Sequence, residues 1–209
     1  MNKPDKILVL SPHPDDGEIG CGGTIARFVR EGKQIVHILF SPAEKIGSKI
    51  ISKHIRWREF DQSNELLGVH QACRPIAYEH RNLALHRSRM LDFLVGLRRQ
   101  TAFDAVFMPC LHDIHQDHAV VAHEALRVFK GIDIFCYEMP WNNLNFNTQC
   151  FIKIEEQDLR KKIQALSFYE TQQHKAYMNP KFIESWAITR GVQCGSVYAE
   201  AFENIKRII

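Results

Sequence analysis

Lys6-Ile7-Leu8-Val9-Leu10-Ser11 runs straight into Pro12-His13-Pro14-Asp15-Asp16-Gly17-Glu18. The first six residues are almost wholly apolar, as in a strand buried on both faces. A histidine and two adjacent carboxylates then stand where that strand ends. Imidazole nitrogen and carboxylate oxygen are both good zinc ligands, and Pro12 and Pro14 stiffen the backbone on either side of His13. Adjacent aspartates in a turning segment point in different directions, so one can bind a metal while its neighbour faces a water. The same residues also suit an ordinary turn, with Asp16 capping the next helix. This segment alone leaves both readings open.

Strands and helices alternate outward from this point. Residues 20–32 (GCGGTIARFVREG) read as a helix with Ile25, Phe28 and Val29 on one face and Gly32 as its stop. Residues 34–40 (QIVHILF) read as a second buried strand, 41–51 as mostly loop, and 54–68 as an amphipathic helix ending at Gly68. A weak strand is expected at 75–78, a helix at 88–99, a strand at 103–109 and a helix at 117–130. Strands at 133–137 and 150–154 and a helix at 157–170 follow, and the tail from Lys181 is mixed. Continuous apolar strands alternating with helices imply a mostly parallel sheet covered on both faces. No repeat, low-complexity tract or linker divides the chain, so one domain over residues 1–209 is expected. In such sheets ligands bind beyond the carboxyl ends of the strands, so chemical residues should cluster there.

They do so a second time. The strand FDAVFMPC is followed by Leu111-His112-Asp113-Ile114-His115-Gln116-Asp117-His118, three histidines and two aspartates within seven residues. His115 and His118 are three apart, so at a helix start they share a face. His123-Glu124 does not continue to HExxH, because position 127 is arginine. His123 is read as structural or solvent-facing and His37 as a satisfied core histidine. His54, His70, His80, His86 and His174 have no partnered spacing and receive no role. Gly20, Gly22 and Gly23 give GxGG rather than the full dinucleotide pattern, and close backbone approach explains them better.

Together these residues resemble the PIG-L/LmbE-like deacetylase family. His13-Pro14-Asp15-Asp16 with Glu18 and the glycine-rich helix start is similar to its first motif, and His115-Gln116-Asp117-His118 to its HxDH motif. The segment RWREFDQSNELLG from Arg56 to Gly68, then Arg190-Gly191 and Tyr198-Ala199-Glu200-Ala201-Phe202, extend the resemblance over nearly the whole chain. It implies a Rossmann-like three-layer α/β/α sandwich and a zinc-dependent N-deacetylase acting on an N-acetylated amino sugar, free or carrier-linked. By that resemblance His13, Asp16 and His118 hold zinc and Asp15 is the general base. His115 stabilises the oxyanion or protonates the amine, and Asp117 orients a neighbouring histidine, for which His115 is the candidate. Two histidines and a carboxylate also suit ferrous iron. Arg56, at a helix start near the same sheet edge, is a candidate for binding a substrate phosphate or hydroxyl, or for orienting Glu59. The role of Glu18 is open. Trp141, Asn142, Asn143, Asn145 and Asn147 are candidates for a sugar site or for an ordinary turn-rich loop.

Composition narrows the setting. A formal charge of +3 without a run of Lys and Arg argues against nucleic acid and leans towards an anionic substrate. The six cysteines form no CxxC pair and are expected as free thiols. The N-terminus has an apolar run of only Ile7 to Leu10, so neither a signal peptide nor a membrane span is expected, and the cytoplasm is the expected location. A homo-oligomer is compatible with this pattern. Three rival readings remain. One is a zinc amidohydrolase acting on a thiol conjugate or an N-formyl group. Another is a non-catalytic metal-dependent binding protein, against which Asp15 and His115 speak. The last is a nucleotide-binding module.

Overall fold

The computed structural model describes residues 5–46, 49–75 and 77–208. The elements in chain order are β1 (Lys6–Ser11), α1 (Asp16–Arg30), β2 (Gln34–Leu39), β3 (Lys45–Ile46), β4 (Lys49–Ile50), α2 (Lys53–Leu67), β5 (Gln71–Cys73), α3 (Arg87–Gln100), β6 (Ala105–Pro109), α4 (Gln116–Phe129), β7 (Asp133–Tyr137), β8 (Cys150–Ile154), α5 (Glu156–Ser167), α6 (Pro180–Gln193) and β9 (Tyr198–Lys206), with short 3₁₀ turns between some of them. Seven strands form one sheet in the order β5-β2-β1-β6-β7-β9-β8. The first five run parallel, and β9 enters antiparallel between β7 and β8.

Each face of the sheet buries alternate side chains. Ile7 and Val9 join Ile19, Phe60, Leu159, Leu166 and Ile183 on the face covered by α1, α2, α5 and α6. Leu8 and Leu10 join Met90, Leu94, Val121, Ala125 and Phe129 on the face covered by α3 and α4. This is the three-layer architecture expected, and it explains why β1 lacks polar alternation. Among the described residues no helix is long and apolar enough to cross a membrane.

Several boundaries move for local reasons. Helix α1 begins at Asp16 instead of Gly20, because Asp15 at φ 96 turns the chain and its carbonyl accepts from Ile19 N at 2.8 Å. The motif carboxylates therefore occupy its first turn. The expected strand at 75–78 is displaced to β5, which pairs with β2 before Pro75 can interrupt the ladder; Ile76 lies outside the described residues. The expected loop at 41–51 contains the β3–β4 hairpin, with residues 47–48 outside the described set. The fifth helix ends at Ser167 instead of Glu170. Gly20 permits a close approach: a Cβ there would stand 2.4 Å from the Tyr137 ring.

Strand order reverses between β1 and β6. The chain goes one way from β1 to β2 and β5, and the other way to β6 and β7. A crevice at the carboxyl ends of two such strands is the favoured ligand position. Both metal-type segments leave the sheet there.

Candidate metal centre and active site

The segment after β1 and the segment after β6 converge. Asp16 Oδ2 lies 3.2 Å from His13 Nδ1 and 3.2 Å from His118 Nε2, and the two nitrogens are 3.3 Å apart. Zinc ligands at about 2.0–2.1 Å in a tetrahedron stand about 3.3 Å from one another. The three atoms thus form one face of such a tetrahedron, and the donor set fits a divalent ion. Their electrostatics agree. Burial opposes charge on His118, yet Asp16 and Asp113 outweigh it and push its pKa up to about 10. Burial likewise opposes ionisation of Asp16, and His118 and His13 hold it well below the usual carboxylate range. Such a hole demands a cation or shared protons.

The outer nitrogens are also bonded. His13 Nε2 meets Asp117 Oδ2 at 2.8 Å, and His118 Nδ1 meets Asp113 Oδ2 at 2.7 Å. With the outer N–H donating to a carboxylate, the inner nitrogen of each ring presents its lone pair to the metal position, an arrangement that orients ligands and raises their basicity. Asp117 therefore orients His13. The expected pairing with His115 is corrected: the Asp117 backbone N–H donates to His115 Nδ1 at 3.2 Å, while its carboxylate reaches across to the other segment and also accepts from Arg81 N at 2.7 Å. Spacing within α4 places a backbone group, not the carboxylate, against His115. Asp113, which received no role from sequence, supports His118.

Asp15 sits 5% exposed beside the trio. Its left-handed backbone, φ 96 in a non-glycine residue, is the kind of strain that collects at functional sites. Burial and then the charge of Asp16 raise its pKa to about 7, against the opposing charges of Arg56 and Lys175. His115 is held neutral, its pKa lowered to about 4 by burial and by His13 and His118. Because its Nδ1 accepts from a backbone N–H, the neutral ring carries its proton on Nε2.

These groups line a cavity of about 450 Å³ together with Lys45, Arg56, His80, Arg81, Trp141, Gln172, Lys175 and Tyr177. Arg56 is buried, and four of its five N–H donors are used inside the protein, on Glu59, Thr171 and the carbonyls of Pro42 and Pro14. Asn142 also lines the cavity, whereas Asn143 Oδ1 accepts from Met139 N and Asn147 N donates to Glu203. Glu18 lies below, bonded to Tyr169 and Asn64, with burial raising its pKa to about 7. His37 is the satisfied core histidine, 2.7 Å from both Ser11 Oγ and Asn64 Oδ1.

Sequence reasoning missed His80. Its ring lies 4.8 Å from that of His13 and 5.9 Å from that of His115. The rule that chemistry follows strands would have flagged it, since it follows β5 at the same edge. Gln172, His174, Lys175 and Tyr177 follow no strand and gave no such signal.

Comparison with known proteins places this geometry in a lineage. The deacetylase YaiS of Escherichia coli K12 is 29% identical over 181 residues, covering 81% of this chain and 93% of YaiS. The diacetylchitobiose deacetylase of Thermococcus kodakarensis is 27% identical over 182 residues, 82% of this chain and 62% of that protein. The crystal structure of the conserved protein TT1542 from Thermus thermophilus superposes with a TM-score of 0.81 at 25% identity, covering 99% of this chain and 97% of that one. The family model PIG-L, GlcNAc-PI de-N-acetylase, matches residues 8–129, which include every residue of the candidate metal centre. With more than half of its length matched, the chain belongs to the PIG-L family of de-N-acetylases.

Proposed function

We propose that this chain, read as one domain over residues 1–209, removes the acetyl group from an N-acetylated amino sugar with the help of a divalent metal. The observation that carries the reading is the triangle of His13, Asp16 and His118 atoms, 3.2–3.3 Å on each edge, beside a buried carboxylate and an open cavity. Those three residues would hold the ion, zinc first and ferrous iron second. When bound, such an ion supplies Lewis acidity towards an amide oxygen and acidity to a water.

The chain's own groups divide the rest of the work. Asp15 takes the proton of the attacking water as the water adds to the acyl carbon. The charges of Arg56 and Lys175 favour the ionised form of Asp15, which is the form that acts as base. The C–N bond then breaks, and the proton passes from Asp15 to the departing nitrogen, giving acetate and a free amine. His115 Nε2–H donates to the oxygen that becomes negative, a contact whose loss costs roughly 10²–10³ in rate. Asp117 and Asp113 hold the two ligand imidazoles. Arg56 grips the Pro14 carbonyl and so fixes the turn that presents Asp15, with one N–H left towards the substrate. Trp141, stacked on Tyr177 at 4.1 Å, supplies an apolar face for a sugar ring. The cysteines are free thiols, which suits a reducing compartment, and we place the reaction in the cytoplasm.

The test is mass spectrometry of a panel of N-acetyl amino sugars, thiol conjugates and N-formyl compounds incubated with zinc-loaded protein. Loss of one acetyl group with matching acetate release, abolished by a chelator, is expected from the amino sugars. Turnover of only the formyl or thiol compounds would replace this reading by the corresponding amidohydrolase.

A further inference from the structure

The first turn of α1 is capped from outside the helix. Its N-cap residue is Asp15, a residue type that ordinarily turns its carboxylate back onto the free N–H groups of the helix it starts. Here the Asp15 side chain makes no cap bond and lines the cavity instead. The Gly17 N–H is satisfied all the same, donating to Ser11 Oγ at 2.9 Å. The cap thus comes from the last residue of β1, and the carboxylate at the cap position is left for other work.

Ser11 is itself held in one orientation. Asn64 Nδ2 donates to the Phe60 carbonyl at 2.8 Å and to Glu18 Oε1 at 3.1 Å. Its Oδ1 therefore faces His37 Nδ1, 2.7 Å away, and that nitrogen carries the proton. Burial keeps the imidazole neutral, with its pKa lowered to about 4. Nε2 is then bare and accepts the Ser11 O–H at 2.7 Å. With its one proton committed to His37, Ser11 Oγ presents a lone pair to the Gly17 N–H. Each role fixes the next, and the chain closes on itself. It leaves the helix at Gly17 N and returns at the Glu18 carboxylate, which also accepts from Tyr169 OH at 2.5 Å. Ser11, Glu18, His37 and Asn64 are all buried, where a lost partner is not replaced by bulk water. Gly17 completes the fit, since a Cβ there would stand 2.5 Å from Ser11 Oγ and 2.6 Å from His37 Nε2.

We propose that Ser11 and His37 are positioning residues of the active site: Ser11 caps α1 in place of Asp15, His37 fixes the Ser11 hydroxyl, and the Asp15 carboxylate is thereby kept free to take the proton of the attacking water. The proposal rests on the deacetylase reading for its chemistry, while the hydrogen-bond chain stands without it. Glu18 also gains a part, as the anchor that returns the chain to the turn carrying Asp16. Without the Ser11 oxygen, Asp15 stands at the position from which helices are ordinarily capped. A base engaged on its own helix is withdrawn from the substrate.

The experiment compares Ser11→Ala with wild type, both zinc-loaded, on the N-acetyl amino sugar that wild type deacetylates fastest, and compares crystal structures of the two proteins without metal. A fall in kcat of about 10–100-fold with KM within about twofold is expected. In the variant's crystal the Asp15 carboxylate should turn onto the Gly17 N–H. Ser11→Thr keeps the hydroxyl and should restore most of the lost rate. Should Ser11→Ala not fold, Asn64→Leu is the second variant; it lets the imidazole turn and should give a smaller fall in kcat at unchanged KM. A lowered Tm with kcat unchanged and Asp15 in place would make Ser11 a structural residue only and overturn the proposal. If wild type releases acetate from no sugar, the deacetylase reading falls and the variant's crystal structure decides alone. Asp15 moved onto its helix would then support the positioning role, and Asp15 unmoved would overturn it.

Discussion

At the floor of the cavity each imidazole of the candidate metal centre has a carboxylate on its outer nitrogen, Asp117 for His13 and Asp113 for His118, and every member is buried. At the rim, Lys45 in the short strand β3 and Arg81 after β5 are exposed, and Lys175 after α5 is half-buried. The floor hangs from strand ends and first turns of helices, which packing on both faces of the sheet holds still. The rim comes from the β3 region, the stretch after β5 and the stretch after α5. A buried, fully bonded floor suits chemistry that tolerates little displacement. A rim on loops suits recognition, because loops change without disturbing the core.

That contrast can be broken at its strongest point first. His118→Ala should leave a protein without metal and without turnover, and elemental analysis reads this directly; full zinc occupancy would show that the floor is not the ligand set. Asp15→Ala should keep its metal and lose about 10²–10⁴ in kcat. A metal-free Asp15 variant would mean that Asp15 and Asp16 have exchanged parts. A pH effect lies beneath the floor, where burial lowers the His37 pKa to about 4. Its unfolded value is 6.5, so between these values the unfolded chain binds the proton and the folded one does not. Its contribution to stability is complete above the unfolded value and is lost as pH falls to the folded one, by roughly 3 kcal/mol. The difference between the urea-unfolding pH profiles of wild type and His37→Gln measures it; parallel profiles would contradict it. Asp113→Asn should weaken metal affinity by about 10–100-fold without unfolding the protein, as chelator competition would show. At the rim, Trp141→Ala should raise KM by about tenfold and leave kcat within about twofold. A kcat collapse there would erase the distinction between floor and rim.

Much of this was legible in the residues themselves. Strands β1, β2, β6 and β7 announce themselves because strands buried in a sheet lose the polar alternation of a half-exposed one, and the edge strand β8 by its β-branched content. Strand β9, YAEAFENIK, does not. Its Glu200 and Glu203 are buried, and their oxygens are taken by Gly23 N, Thr24 N and Lys162 in one case and by Cys110 and Asn147 N in the other. Glutamates satisfied by distant partners look like solvent-facing residues when the chain is read alone. The six residues of the two motifs were visible because metal-type side chains are rare at such density. His80 was hidden by having no neighbour of its own kind in sequence. Arg56 read as a substrate ligand or a partner of Glu59; its bonds to the carbonyls of Pro14 and Pro42, 42 and 14 positions away, were not visible along the chain.

The order of residues alone determined that two metal-type clusters follow two buried strands, because local periodicity and turn chemistry depend on near neighbours. Only the tertiary structure decided that the Asp117 carboxylate serves His13, 104 positions away, rather than His115 two positions away. The same holds for Lys45, Arg81 and Lys175, which line one cavity with those residues. Such pairings arise from strand order and helix placement, which bring together atoms whose distance along the chain says nothing of their distance in space.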